Sequence, residues 1–172
     1  MKKKEFSFLV FIFLTLIIGQ SFAATKDISI KTFTNLDHIP SFPGIHHYPV
    51  PDADFTQHIV RVKPNRNESN YRIHIQIGKW QLADCNTYFY AKKIDSRLQQ
   101  GADLYFVLES LGQRFAYSSM PCFTNDTEQF VPFVHELYLP YNSANPVVFY
   151  LPNDVSLKAN LWMKVDSGIV ER

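Results

Sequence analysis

The sequence predicts an all-β fold: one antiparallel domain, arranged as a Greek-key-like barrel or sandwich, with a C-terminal strand arm. Three observations predict it. Short apolar or alternating segments follow one another closely, and clusters of Pro, Gly, Asn and Asp separate them. No segment keeps the amphipathic period of a helix for more than about two turns. Aromatic residues make up 15% of the chain, which suits a β-rich core.

Residues 1–23 have the layout of a secretory signal peptide. A basic start, MKKKE, precedes an apolar run of 13 residues, and the segment ends in small residues at Ser21 and Ala23. The alternative is a membrane anchor, but the run is shorter than the roughly 20 residues that a spanning helix needs. We therefore expect export, with cleavage near Ala23, and no membrane segment in the mature protein.

The rest of the chain is expected to hold a single domain. Residues 24–44 show no sustained period and end in two prolines and a glycine, which predicts a loose N-terminal extension before a β domain at 45–172. Without residues 1–23, the 17 basic and 16 acidic residues become 14 and 15, a net charge of −1. The sequence has no excess of positive charge with which to attract nucleic acid or an anionic membrane, so neither is an expected partner.

Strict alternation identifies two half-buried strands. In residues 71–77 apolar side chains alternate with Arg72, His74 and Gln76, and residues 155–163 alternate in the same way. The dense apolar runs at 104–109 and 146–152 are typical of central strands. The other predicted strands are 58–62, 87–93 and 133–139, and turn residues stand at 64–70, 101–103, 125–128, 140–146 and 152–154.

Cys85 and Cys122 are the only cysteines, 37 positions apart. In an exported protein an even pair predicts one disulfide, which the loop-entropy model makes worth about 4 kcal/mol at this separation. Two free buried thiols are the alternative. No further ligand lies beside either cysteine, so a metal site is not expected there.

The remaining motifs do not favour catalysis or a cofactor. The adjacent His46 and His47 lie in a proline-flanked loop, where neighbouring side chains of an extended segment point opposite ways. His74 falls on the polar face of its strand, where it is expected to be solvated rather than bound to a metal. Phosphate-binding and dinucleotide-binding motifs are absent. A hydrolase would need Ser118 or Ser119 as nucleophile with His135 as base, but no G-x-S-x-G elbow is present. We expect no enzyme activity, no cofactor and no metal.

An ordered set of segments carries a family resemblance. These are YPV at 48–50, NESNYRIHIQIG at 67–78, ADCN at 83–86 and YNSANPVVFYLPNDVSLKANLW at 141–162. With them, the chain resembles ecotin, a family of exported bacterial inhibitors of chymotrypsin-fold serine proteases, from about Ile45 to Arg172. The spacing of the two cysteines matches the family's disulfide pair. The resemblance implies a periplasmic location and serine proteases of that fold as partners.

The resemblance also assigns a reactive loop, which in this family immediately precedes the second cysteine. The residue that enters the protease's primary pocket lies three positions before that cysteine, so Ser119–Met120 is the expected reactive bond. The rest of the loop is Ala116, Tyr117, Ser118 and Pro121.

Two residues of this loop indicate that the protein inhibits a narrower range of proteases than is typical of the family. The family presents methionine where Ser119 stands, and the smaller side chain suits a shallow, elastase-like pocket at a loss of about 1–3 kcal/mol. Pro121 favours an extended Met120 but lacks an N–H, which costs about 1 kcal/mol. Met120 as the anchor would place Pro121 directly after the scissile bond, an arrangement that serine proteases handle badly.

Other positions depart from the family. Its loop is supported by the segment after the first cysteine; here Asn86 matches, but Tyr88 and Phe89 replace a histidine and an arginine, which implies support by packing rather than charge. At the family's second binding site Pro140 and Ala144 replace basic residues, which puts that site in doubt. The residues standing at the second site are Gly101, Ala102, Asp103, Leu104, Tyr141, Asn142 and Ser143.

The C-terminal segment 161–172 resembles the arm that two family subunits exchange to form a dimer, with Trp162, Ile169 and Val170 as apolar contacts. The alternative is a strand that pairs within its own chain. A dimer could contact one protease with both subunits and so gain avidity. The expected function is inhibition with an elastase-like preference; the alternatives are an ecotin-fold protein that binds another partner without inhibiting, and the small hydrolase above.

Overall fold

A computed structural model gives the fold, and it describes residues 27–37, 45, 47–98, 104–123 and 125–165. The described residues form eleven strands and one turn of 3-10 helix at Glu68–Asn70. The strands are β1 (Ile28–Phe33), β2 (Phe55–Val62), β3 (Tyr71–Ala83), β4 (Tyr88–Tyr90), β5 (Asp95–Leu98), β6 (Leu104–Val107), β7 (Arg114–Ala116), β8 (Thr127–Pro132), β9 (Leu137–Pro140), β10 (Val147–Pro152) and β11 (Ser156–Met163). The predicted all-β class is confirmed.

The first sheet holds five strands in the order β1-β2-β10-β6-β5, antiparallel except for the parallel pair of β6 and β10. Its central strand β10 is buried on both faces: Val148, Phe149 and Leu151 are 0% exposed. Phe149 belongs to the core between the sheets, while Val148 packs in a second cluster with Ile45. Burial on both faces is why this strand is a continuous apolar run rather than an alternating one.

The second sheet is built on β3, the longest strand. β11 pairs along one side of β3, and β8 and β9 pair in succession along the other. Ile73, Ile75 and Ile77 of β3 face the first sheet and are 1% exposed, as their alternation predicts. At Gly78 a side chain would lie 2.7 Å from the Phe130 ring, so this close approach of β8 requires glycine.

Two local expectations need correction. Residues 28–33, placed in a loose extension, form β1 and pair with β2 from Ile28 to Phe33. Backbone pairing at a sheet edge needs no apolar alternation, which is why the pattern gave no signal. The segment 125–128 was expected to be a turn, but β8 already begins at Thr127 because its backbone pairs with Ala83 of β3.

The expectation that His74 is solvated is also wrong, since its ring is 5% exposed. It stacks on Tyr138 at 4.8 Å and meets the edge of Trp162 at 5.1 Å, and its Nε2 lies 2.9 Å from a Glu136 carboxylate oxygen. The outer face of this sheet therefore carries large side chains from β9 and β11, which cover a position that alternation alone assigns to solvent.

The C-terminal strand pairs within its own chain as far as the structure describes it. Leu161 and Trp162 of β11 lie opposite Ile73 and Arg72 of β3. Trp162 is nevertheless 53% exposed, and Ile169 and Val170 lie outside the described residues. The predicted signal peptide at 1–23 also lies outside them. In the described part of the chain, no helix is long and apolar enough to cross a membrane.

Candidate functional site

A small two-stranded sheet positions the segment that precedes Cys122. Tyr88, Phe89 and Tyr90 of β4 pair with Ala116, Phe115 and Arg114 of β7, respectively. Tyr90 anchors this sheet to the core: its ring is 6% exposed, it packs on Phe133, and its carbonyl accepts the Val134 N–H at 2.9 Å. The chain leaves β7 at Ala116 and turns back toward the end of β3, which defines a loop at 117–122.

The predicted disulfide between Cys85 and Cys122 is present, with the two Cα atoms 5.7 Å apart. Cys85 follows the last residue of β3 by two positions, so the bond ties the far end of the loop to the longest strand of the fold. The alternative of two free thiols is thereby excluded.

Asn86 holds the backbone of Met120 from both sides. Its side-chain oxygen accepts the Met120 N–H at 2.8 Å, and its side-chain nitrogen donates to the Met120 carbonyl at 3.1 Å. The same oxygen accepts the Ser118 hydroxyl at 3.0 Å. Asn86 is 6% exposed, so these bonds form in a sheltered position. One side chain therefore satisfies both backbone polar groups of a loop residue, as a paired strand would.

Thr87 continues this pairing with its backbone. The Thr87 carbonyl accepts the Tyr117 N–H at 2.8 Å, and the Thr87 N–H donates to the Ser118 hydroxyl at 3.1 Å. Ser118 thus turns its side chain toward the protein. Thr87 lies within the segment expected to support the loop, but the sequence assigns it no role of its own, because a contact made by the backbone does not depend on the type of side chain.

Asp84 orients Asn86 and was also missed. Its carboxylate accepts the Asn86 backbone N–H at 2.9 Å, the Asn86 side-chain N–H at 3.1 Å and the Tyr88 hydroxyl at 2.9 Å. The bonds from Asn86, followed by the bond from Tyr88, hold the pKa of the Asp84 carboxyl below its usual range. The Asp-Cys-Asn pattern at 84–86 is the signal that could have found it, since Asp often accepts the N–H two residues on.

Tyr88 and Phe89 support the loop in different ways. Phe89 packs against the ring of Tyr117, with centroids 4.2 Å apart, and against Phe115 at 5.7 Å. Tyr88 instead acts through polar contacts: its hydroxyl reaches Asp84, and the Arg114 guanidinium lies 4.4 Å above its ring. The packing that sequence reasoning expected describes Phe89, whereas Tyr88 supports the Asp84–Asn86 pair by a hydrogen bond.

The side chains around the expected reactive bond face solvent. Ser119, Met120 and Pro121 are all exposed, and Met120 keeps 61% of its surface free although its backbone is bonded to Asn86. The arrangement fixes the backbone of the loop and leaves its side chains free to contact another molecule.

The residues of the alternative hydrolase do not form a nucleophile and base pair. In the part of the chain that the structure describes, no hydrogen bond joins Ser119 to His135. His135 lies in a hollow of about 480 Å³ together with Phe89 and Glu136, and Ser119 does not line it. Within the same described ranges, no group of three His, Cys, Asp or Glu side chains could hold a metal ion.

Of the residues expected at the family's second binding site, the structure describes only some. Gly101, Ala102 and Asp103 lie outside the described residues, while Leu104 and Asn142 line a common hollow. The neighbours of Asn142 are used internally. Tyr141 is buried, and its hydroxyl donates to the Lys63 carbonyl; Ser143 donates its hydroxyl to Glu68. A structural role therefore accounts for these two residues.

Replacing Asn86 by Ala is expected to loosen the loop without unfolding the domain. The variant removes both side-chain bonds to the Met120 backbone, each worth about 1 kcal/mol. Amide hydrogen exchange at Met120, measured by NMR, should accelerate about tenfold or more. Thr87→Ala is the matched control, because Thr87 contacts the loop through its backbone, and its Met120 exchange should match the wild type. Equal protection of Met120 in Asn86→Ala would contradict this account.

The Asp84 contacts predict a pH dependence. A folded pKa below the unfolded value of about 3.9 means that ionised Asp84 stabilises the fold above that pH and stops doing so as the pH falls through the folded pKa. The gap in unfolding free energy between wild type and Asp84→Asn should therefore be largest above about pH 4 and narrow in acid. Urea denaturation from about pH 2 to 6 measures this gap. A gap that stays constant across this range would show that the Asp84 charge does not contribute.

Comparison with known proteins identifies the family. The ecotin family model matches residues 44–164. The chain is 25% identical to an ecotin of Pseudomonas fluorescens (strain Pf0-1) over 146 residues, covering 83% of this chain and 91% of that protein. It is 31% identical to an ecotin of Pseudomonas putida (strain W619) over 125 residues, 71% of this chain and 78% of that one. An ecotin of Yersinia pestis (strain Pestoides F) is 27% identical over 137 residues, 76% and 80% of the two chains. The chain belongs to the ecotin family.

Proposed function

We propose that this protein inhibits chymotrypsin-fold serine proteases by binding to them as a substrate, with Ser119–Met120 as the reactive bond. The observation that carries the proposal is the grip of Asn86 on both backbone groups of Met120, on the carboxyl side of that bond. Membership of the ecotin family supports the role, and the exposed side chains of Ser119 and Met120 suit it.

A fixed loop favours tight binding. A flexible peptide loses backbone and side-chain freedom when it enters a protease, and this ordering cost reduces its affinity. Here the Cys85–Cys122 disulfide, the Asn86 bonds and the Thr87 pairing restrict the loop before any protease arrives. Most of the loop's conformational entropy is therefore lost when the protein folds rather than when it binds. The binding contacts can then contribute more fully to affinity.

The same contacts oppose release of a cleaved product. Attack by the protease's serine on the Ser119 carbonyl carbon would break the bond to the Met120 nitrogen, which takes up a proton as it leaves. That nitrogen lies 2.8 Å from the Asn86 side-chain oxygen, and Cys122, two residues further on, is covalently tied to Cys85. The new amine stays beside the acyl carbon at high effective concentration, so the bond re-forms readily and hydrolysis is slow.

The target class follows from Ser119. A hydroxymethyl side chain fills a shallow primary pocket and leaves a deep one largely empty, so an elastase-like protease is the preferred partner. It offers no positive charge to a pocket with a buried acid. Pro121 supports this register, since anchoring at Met120 would place a proline directly after the scissile bond.

Location and assembly complete the proposal. Residues 1–23 direct export to the periplasm, where the disulfide can form and where foreign proteases would be met. Two chains form a dimer by exchanging their C-terminal segments, with Trp162, Ile169 and Val170 as the apolar contacts; Trp162 is 53% exposed. Both features rest on the sequence and the family resemblance. The protein acts as an inhibitor, without a cofactor, and is not itself an enzyme.

A protease panel tests the proposal. Residual activities of elastase, chymotrypsin and trypsin are titrated with the oxidised mature protein, the Ser119→Arg variant and a Ser29→Arg control in the exposed part of β1. Wild type and control should inhibit elastase stoichiometrically, and Ser119→Arg should shift inhibition toward trypsin by at least about tenfold, because it supplies the missing cation. If no member of the panel is inhibited by folded protein, the fold instead serves binding of another partner.

A further inference from the structure

We infer that an aromatic ridge formed by Phe89, Phe115 and Tyr117 is a second determinant of protease binding. It would contact the protease surface that receives residues on the amino-terminal side of the reactive bond, with Tyr117 as the main anchor. This inference rests on the proposed inhibitory function and adds to it the apolar contact that Ser119 does not provide.

The ridge is one continuous surface. Phe89 and Phe115 lie directly opposite each other in β4 and β7, so they share a face of the small sheet. Tyr117 stands two residues beyond Phe115, the interval at which an extended chain returns side chains to the same side. Ring centroids are 5.7 Å apart for Phe89 and Phe115 and 4.2 Å apart for Phe89 and Tyr117.

The ridge faces outward, away from the core. Tyr90, on the opposite face of the same small sheet, is 6% exposed, whereas Phe115 is 42% and Tyr117 66% exposed. Adjacent exposed aromatic rings are costly to leave in water and commonly mark a contact surface. The ridge is continuous with the loop, because Tyr117 is separated from Ser119 only by Ser118.

The backbone contacts of the loop indicate which part of Tyr117 a partner can use. Its N–H already donates to the Thr87 carbonyl at 2.8 Å, so this donor is not free to pair with a strand of the protease. The contact at this position therefore depends on the tyrosine ring. That ring is held by Phe89, and a tyrosine has few rotatable bonds to immobilise, so it loses little freedom on binding.

The ridge and the serine together define the partner's chemistry. The preferred protease combines a shallow primary pocket, which accepts Ser119, with an exposed apolar surface beside it that packs against Tyr117 and Phe115. Buried tyrosines often dominate the energetics of an interface, so Tyr117 is expected to outweigh Ser119 as a source of affinity.

The test compares inhibition constants for wild type, Tyr117→Ala and Phe123→Ala against the elastase that wild type inhibits. Phe123 is the matched control: it is an aromatic side chain, 97% exposed, on the other side of Cys122. Tyr117→Ala should weaken inhibition at least about 30-fold, and Phe123→Ala by less than about threefold. Intact disulfide and an unchanged thermal unfolding midpoint establish that Tyr117→Ala is folded. Tyr117→Phe, which keeps the ring, should stay within about fivefold of wild type.

A positioning role for Phe89 is tested by a double-mutant cycle. Phe89→Ala should weaken inhibition in the wild-type background but have little further effect when Tyr117 is already Ala, because Phe89 acts by holding that ring. Two results would overturn the ridge while leaving the proposed function intact. In one, wild type inhibits and the inhibition constant of Tyr117→Ala stays within threefold of the wild-type value. In the other, Phe123→Ala weakens inhibition as much as Tyr117→Ala does. Failure of wild type to inhibit any protease removes the function, and the ridge falls with it.

Discussion

The hydrogen bonds between the Asn86 side chain and the backbone of Met120 are the contact on which the loop depends. They work only because Asn86 is itself fixed: Asp84 accepts its backbone and side-chain N–H groups, and Asp84 directly follows the end of β3. The side chains of Asp84 and Asn86 thus connect the end of β3, the longest strand, to the loop at 117–122, which is far away in sequence. The disulfide restrains the same loop one residue beyond Pro121, and the Thr87 carbonyl holds the Tyr117 N–H two residues before Ser119. The backbone is therefore restrained on both sides of the bond proposed to be presented.

The division of roles within the loop follows from this constraint. Inward groups, the Ser118 hydroxyl and the Met120 backbone, bind the protein, while Tyr117, Ser119 and Pro121 remain exposed. Stability and recognition therefore depend on different atoms. A substitution at Ser119 would leave these supporting contacts in place, whereas a substitution at Asn86 would remove them.

Much of the fold could be predicted from the sequence because burial leaves a pattern. The isoleucines of β3 and the apolar run of β10 are visible for that reason, and export predicted the disulfide. Elements held by backbone pairing were not visible: β1 is mostly exposed, and β7 has only three residues. In the site, the family resemblance predicts the supporting role of Asn86. It does not predict the roles of Thr87, which acts through its peptide groups, and of Asp84, which acts through a local turn. The predicted exposure of His74 was wrong because alternation assigns every second side chain to solvent, whereas aromatic side chains cover this face of the sheet.

The most direct test of the central claim is to locate the bond that a protease cuts. The oxidised protein is incubated with excess elastase for an extended period, and the products are reduced and weighed by mass spectrometry. The account predicts slow cleavage at Ser119–Met120 alone, with the two fragments joined through Cys85 and Cys122 until reduction. Cleavage at Met120–Pro121, or rapid cutting at several sites within 115–123, would show that the loop is not held as a presented substrate.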